Sequence, residues 1–283
     1  MPRTALEELL TRTGMIADVD AATTQALLAR IDQVREEGVD DDALRTLVQA
    51  YGRAIGRVAA AEAQVALRHL AHLPEDEREE GLRRWIEHVM PVGSLAFSQL
   101  HPPLVERLVR RNLTTVADDS DPDADPASVA FVDLCGSTAY MLRATPDEIR
   151  DLADEVYMVG QEMAVGRDVV AGKFLGDGVL LVGRDRAALL GATLDTLGEL
   201  GRRTPLRASG GVAHGWVLRR AGDYFGPTVN LAARLSEAAS ADAVLVDPGA
   251  LPDHPHRAHR VTVQLRGASE PREAAVIEAG GEA

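Results

Sequence analysis

The stretch Val169-Val170-Ala171-Gly172-Lys173-Phe174-Leu175-Gly176-Asp177-Gly178-Val179-Leu180-Leu181-Val182 decides how the second half of the chain is read. Two short apolar runs flank Gly176-Asp177-Gly178, and a tight glycine-flanked turn between such runs predicts a β-hairpin. Upstream, Pro146 to Val165 carries a helical pattern. Before it, Val129 to Leu134 forms a short apolar strand that leads into the turn Gly136-Ser137-Thr138. Downstream, a helix is predicted over Arg186 to Leu200 and a strand over Leu206 to His214. The order is β-α-β-β-α-β, the signature of a ferredoxin-like α+β sandwich. Further short strands near Val244 to Val246, Val261 to Leu265 and Ala274 to Ile277 extend this α/β domain.

Moving outward to the N-terminal side, Ala117 to Pro126 is acidic, holds two prolines and lacks large apolar residues. That composition predicts a flexible linker over 114–126. A calcium loop is the alternative, but the terminal Glu and the glycine spacing are missing. Residues 1–113 then form an all-α N-terminal domain and 127–283 a separate α/β domain. Asp20 is an N-cap for a helix carrying Leu27, Leu28, Ile31 and Val34 and stopped by Gly38. The Asp40-Asp41-Asp42 cluster favours the next helix start, and that helix runs to Leu73. A third helical piece covers Glu75 to Val89, and the segment after Pro91 is expected to break at Pro102-Pro103. No catalytic constellation stands out here, so a regulatory or dimerisation role is expected. His69, His72, His88 and His101 make a pH response conceivable, with ordinary surface or core histidines as the default.

Composition narrows the function classes. The chain has 283 residues, 46% of them hydrophobic but only 4% aromatic, so Leu, Val and Ala must fill the cores. A net charge of −14 argues against non-specific nucleic-acid binding and against anionic membranes. The single cysteine, Cys135, allows neither an internal disulfide nor a cysteine-based zinc site. With no signal-like start and no run near the ~20 apolar residues that span a bilayer, a cytoplasmic location is expected.

Four polar positions then carry the chemistry. Asp133 follows Ala130-Phe131-Val132, and Asp177 sits at the hairpin tip. A carboxylate inside an apolar strand is costly unless paired or bound to a cation. Two on neighbouring elements could hold one or two Mg²⁺ ions, although each could equally start or cap a turn. Farther on, Gly222 to Leu235 passes from an extended segment through Gly226-Pro227 into a helix. Asn230 and Arg234 lie four apart on it and share a face, an arrangement suited to a phosphorylated ligand or simply to a solvated surface.

Three motifs together resemble the catalytic domain of class III adenylate cyclases: Phe131-Val132-Asp133-Leu134-Cys135-Gly136-Ser137-Thr138, Lys173-Phe174-Leu175-Gly176-Asp177-Gly178, and Asp223 to Arg234. The resemblance covers about residues 127 to 279. It implies Asp133 and Asp177 as the pair for two Mg²⁺ or Mn²⁺ ions, and Lys173 and Asp223 as the pair that reads the adenine edge of ATP. It likewise implies Asn230 and Arg234 as the residues that orient the ribose and stabilise the transition state. Composite sites would be shared across a homodimer. The short interval from His214 to Asp223 resembles the short-armed subclass. One departure is Arg266, before Gly267, where many relatives carry a triphosphate-binding Lys; Arg also binds phosphate well. The expected activity is conversion of ATP to cyclic AMP and pyrophosphate. A guanylate cyclase and a catalytically silent nucleotide-sensing module are the alternatives.

Overall fold

Aspartates start the first helices. In α1 (Ala21–Glu36), the Asp20 carboxylate accepts the backbone N–H groups of Ala22 and Thr23, both at 2.9 Å. In α2 (Asp41–Ala71), Asp40 accepts from Asp42 and Ala43 at 2.9 and 2.8 Å. The computed structural model describes residues 8, 10, 11, 19–113, 124–253 and 258–279. It divides into two units, Met1–Asp119 and Ser120–Ala283.

In the first unit, Leu28 of α1 and Val48 of α2 are buried together with Leu10. A short 3₁₀ turn, Glu75–Glu77, precedes α3 (Arg78–Arg84), which passes through a widened turn, Trp85–Val89, into α4 (Met90–Leu113). The expected break at Pro102-Pro103 does not occur: both prolines lie inside α4. Proline's ring fixes φ near the helical value, so the helix continues at the expense of two backbone donors. Just before Pro91 the chain widens instead. The Met90 N–H reaches back five residues to the Trp85 carbonyl, which relieves crowding of the ring against the preceding turn.

Most of the linker expected over 114–126 lies outside the described residues. Its last three residues, Ala124, Asp125 and Pro126, belong instead to β1 (Ala124–Leu134), paired with Leu218, Val217 and Trp216. The physical reason lies in charge. Arg184 and Arg219 each donate to the Asp125 carboxylate at 2.7 Å, so an acidic residue that suggested solvated linker is neutralised in the fold.

The second unit continues with α5 (Ser137–Met141), α6 (Pro146–Ala164), β2 (Val169–Phe174), β3 (Gly178–Gly183) and α7 (Arg186–Arg203). Then come β4 (Ala208–Arg220), β5 (Asp223–Phe225), α8 (Pro227–Ala238), β6 (Ala243–Val246), β7 (His259–Val263) and β8 (Arg272–Glu278). The strands form one mixed sheet in the order β2-β3-β1-β4-β6-β8-β7, with β5 folded back on β4. Both neighbours of β1 run antiparallel to it, whereas β4 and β6 are parallel.

Helices cover both faces. Leu152, Val156 and Val159 of α6 and Leu189 and Leu197 of α7 pack on one side with Val132. Leu235 of α8 packs on the other with Val129, Phe131, Leu180 and Leu245. A strand buried on both faces reads as a continuous apolar run, which is what Val129 to Val132 shows. Helix α8 lies so close to β4 that a Cβ at Gly211 would fall 2.1 Å from the Ser236 backbone nitrogen. Only glycine allows that approach.

Candidate functional site

Asp133 is the penultimate residue of β1, opposite Gly178 of β3 and Ser209 of β4. Alternation along the strand puts it on the same face as Val129 and Phe131, the face under α8. There Ser236 of α8 donates its hydroxyl to Oδ2 of Asp133 at 3.3 Å. Asp177 occupies the turn between β2 and β3. Its carbonyl accepts the Leu134 N–H at 3.1 Å, which draws the hairpin tip to the end of β1. The Ser137 hydroxyl, on the first residue of α5, donates to Oδ2 of Asp177. Gly178 leaves room for this pairing, since a Cβ there would lie 1.9 Å from Oδ1 of Asp133.

Burial pushes the Asp133 carboxyl above its usual range, the nearby Asp177 carboxylate pushes it further, and the Ser236 hydroxyl works against both. A carboxylate raised by burial and by a neighbouring negative charge marks a place that favours a cation. Their oxygens are hard donors, the kind that Mg²⁺ and Mn²⁺ prefer. Among the described residues no group of three or more His, Cys, Asp or Glu side chains surrounds a common point. A divalent ion held here would therefore complete its shell with backbone oxygens, water or phosphate, as Mg²⁺ commonly does.

The other sequence-derived residues lie on β2, β5, α8 and the loop after β7. Lys173 of β2 donates to Oδ2 of Asp223 in β5 at 2.9 Å, although the two are fifty residues apart. Tyr224 holds β5 against β2, because a Cβ at Gly172 would lie 2.6 Å from its ring. Asp223 is fixed further by accepting its neighbour's N–H, from Tyr224, at 3.0 Å. Asn230 and Arg234 are both exposed on α8, one turn apart. The Arg234 guanidinium donates to the carbonyl of Arg266, beside Gly267, whose φ of +77° suits glycine. Thus Asp133 meets Asp177, Lys173 meets Asp223, and Arg234 meets the backbone of Arg266. Within one chain, Asp177 is held by Ser137 and Lys173 by Asp223, so the two ends of one hairpin turn to different partners.

Two residues of this region escape a reading of the sequence. Ser137 looks like a turn residue, and Ser236 like an unremarkable position near a helix end. Only the fold brings Ser236 to Asp133, across 103 residues.

No family model matches the chain. An adenylate cyclase of Streptomyces coelicolor is 31% identical over 245 residues, covering 82% of this chain and 62% of that protein. A pH-sensitive adenylate cyclase of Mycobacterium tuberculosis is 29% identical over 245 residues, covering 82% of this chain and 58% of its own length. An uncharacterized protein of Mycobacterium tuberculosis is 29% identical over 253 residues, covering 86% of this chain and 64% of its own length. The chain thus spans 58–64% of these relatives. Among solved structures, a bacterial light-regulated adenylyl cyclase aligns with a TM-score of 0.50 at 17% identity over 68% of this chain and 65% of that one, which shows a shared fold. In sequence the chain is similar to proteins named adenylate cyclase, and in fold to a bacterial light-regulated adenylyl cyclase.

Proposed function

We propose that this protein is an adenylate cyclase that works as a homodimer with sites shared between two protomers. The reading is carried by one observation above the rest: Lys173 and Asp223, from separate elements, form a donor–acceptor pair at 2.9 Å. Adenine offers a ring acceptor and an exocyclic amine donor, which such a pair complements; guanine presents a carbonyl and a ring N–H and is mismatched. The ferredoxin-like character of the sheet is supported by the order β2-β3-β1-β4 among its first four strands.

In the proposed reaction the 3′-oxygen of ATP forms a bond to the α-phosphorus. The bond from that phosphorus to the bridging oxygen breaks, pyrophosphate leaves and the hydroxyl proton passes to solvent. Asp133 and Asp177 of one protomer would hold one or two divalent ions, which when bound lower the pKa of the attacking hydroxyl and offset phosphate charge. Lys173 and Asp223 of the partner would seat the base. Asn230 would orient the ribose, and Arg234 would meet the charge that builds on the phosphates, with Arg266 on the triphosphate. To do so Arg234 must exchange the Arg266 carbonyl for phosphate oxygens, a stronger charge-assisted partner. No described helix is long and apolar enough to cross a membrane, which is compatible with a cytosolic substrate such as ATP. The helical unit, which carries none of these residues, is proposed as the regulatory part.

The test is direct. Purified protein with Mn²⁺ and either ATP or GTP is expected to yield cyclic AMP, with GTP at least about tenfold slower. Absence of cyclic product from both nucleotides would remove the enzymatic reading.

A further inference from the structure

We propose that Ser137 and Ser236 are positioning residues that aim the Asp177 and Asp133 carboxylates at a divalent cation. The inference deepens the reading above and rests on it for the identity of the two ligands.

Both serines are nearly inaccessible, Ser137 at 5% exposure and Ser236 at 1%. A buried hydroxyl needs a partner, and in each case that partner is one of the two carboxylates. The geometry divides the labour within each group. Ser137 binds Oδ2 of Asp177 and leaves Oδ1 free of that bond. Ser236 takes Oδ2 of Asp133, while the other oxygen, Oδ1, faces the Cα of Gly178, where no side chain fits. A carboxylate pinned through one oxygen cannot rotate freely about its last torsion, so the orientation of its remaining lone pairs is set before a cation arrives. Hydrogen bonds of this outer kind fix ligand orientation in metal sites and are ordinarily felt as a change in metal affinity.

The supports differ in origin. Ser137 opens α5, directly after the turn that follows β1. Ser236 belongs to α8, which is clamped onto β4 at Gly211 and through the Ser209 hydroxyl to the Ser236 carbonyl at 3.3 Å. The same helix carries Asn230 and Arg234. If those two serve a nucleotide held by the partner's carboxylates, Ser236 ties α8 of each protomer to the metal end of its own site.

The experiment uses the full chain, with Mn²⁺ binding followed by electron paramagnetic resonance in the presence of a non-cyclisable ATP analogue, alongside cyclic AMP formation and thermal melting. Ser137→Ala and Ser236→Ala are each expected to weaken Mn²⁺ binding by about 10- to 100-fold. With Mn²⁺ saturating, KM for ATP should stay within about twofold of wild type, because each hydroxyl is engaged by a carboxylate. Ser137→Thr keeps a hydroxyl and should restore most of the affinity. Wild-type Mn²⁺ affinity in both alanine variants would overturn the inference, as would a loss of activity that follows only a lowered melting temperature. If the wild-type protein binds Mn²⁺ and the serine variants bind it less well, yet no cyclic nucleotide forms, the functional reading fails while the positioning role stands.

Discussion

At the residue scale, His214 shows how a side chain far from the proposed chemistry bears on stability. It lies on β4 opposite Ser128, toward the other end of β1 from Asp133, and its Nδ1 is 2.9 Å from the Ser128 hydroxyl. Burial lowers its pKa, the Arg186 guanidinium lowers it further, and Asp247 pulls the other way. The imidazole is therefore neutral in the folded chain at pH values where an unfolded histidine, titrating near 6.5, already carries its proton. Unfolding then takes up a proton, so this group's contribution is full above about pH 6.5 and is lost as the pH falls through the lowered folded value. His214→Gln is expected to flatten the decline of the melting temperature between about pH 6.5 and 5 relative to wild type. Parallel declines in the two proteins would contradict the assignment.

At the scale of elements, the seat of α8 on β4 is the contact on which Asn230, Arg234 and Ser236 all depend. A Cβ at Gly211 would meet backbone atoms of α8 at 2.1 and 2.3 Å, and backbone cannot rotate aside as a flexible side chain can. Gly211→Val is expected to destabilise the second unit by about 3 kcal/mol or more through overpacking, measured by denaturant unfolding. An unchanged midpoint would show that α8 does not sit as described.

Much of this level was legible in the sequence because local chemistry settled it. Asp20 and Asp40 cap their helices as their side chains predict, and Thr145 with Glu148 completes a capping box at the start of α6. The hairpin around Gly176-Asp177-Gly178 follows from glycine and β-branched runs, and the motif residues arrive in pairs at Asp133–Asp177 and Lys173–Asp223. What escaped depends on tertiary context. Nothing near Pro102-Pro103 announces that the helix continues through them. Asp125 reads as linker until two distant arginines, Arg184 just past β3 and Arg219 on β4, neutralise it. The extension of β4 to Arg220 depends on β5 folding back to pair with it, from Arg220 opposite Asp223 to Leu218 opposite Phe225.

At the scale of the whole molecule, the proposal makes each protomer incomplete. Lys173 and Asp177 are four residues apart on one hairpin, yet one turns to Asp223 and the other to Ser137. A two-fold dimer resolves this by letting the carboxylates of one chain face the base-reading and phosphate-facing residues of the other. The most direct measurement is therefore complementation. Asp133→Ala and Arg234→Ala proteins, each assayed alone for cyclic AMP, should be nearly inactive. After mixing under conditions that let subunits exchange, activity should rise to about a quarter of wild type, since half the dimers are mixed and each mixed dimer keeps one intact site. No recovery after verified exchange, or full activity in either variant alone, would contradict the shared-site account.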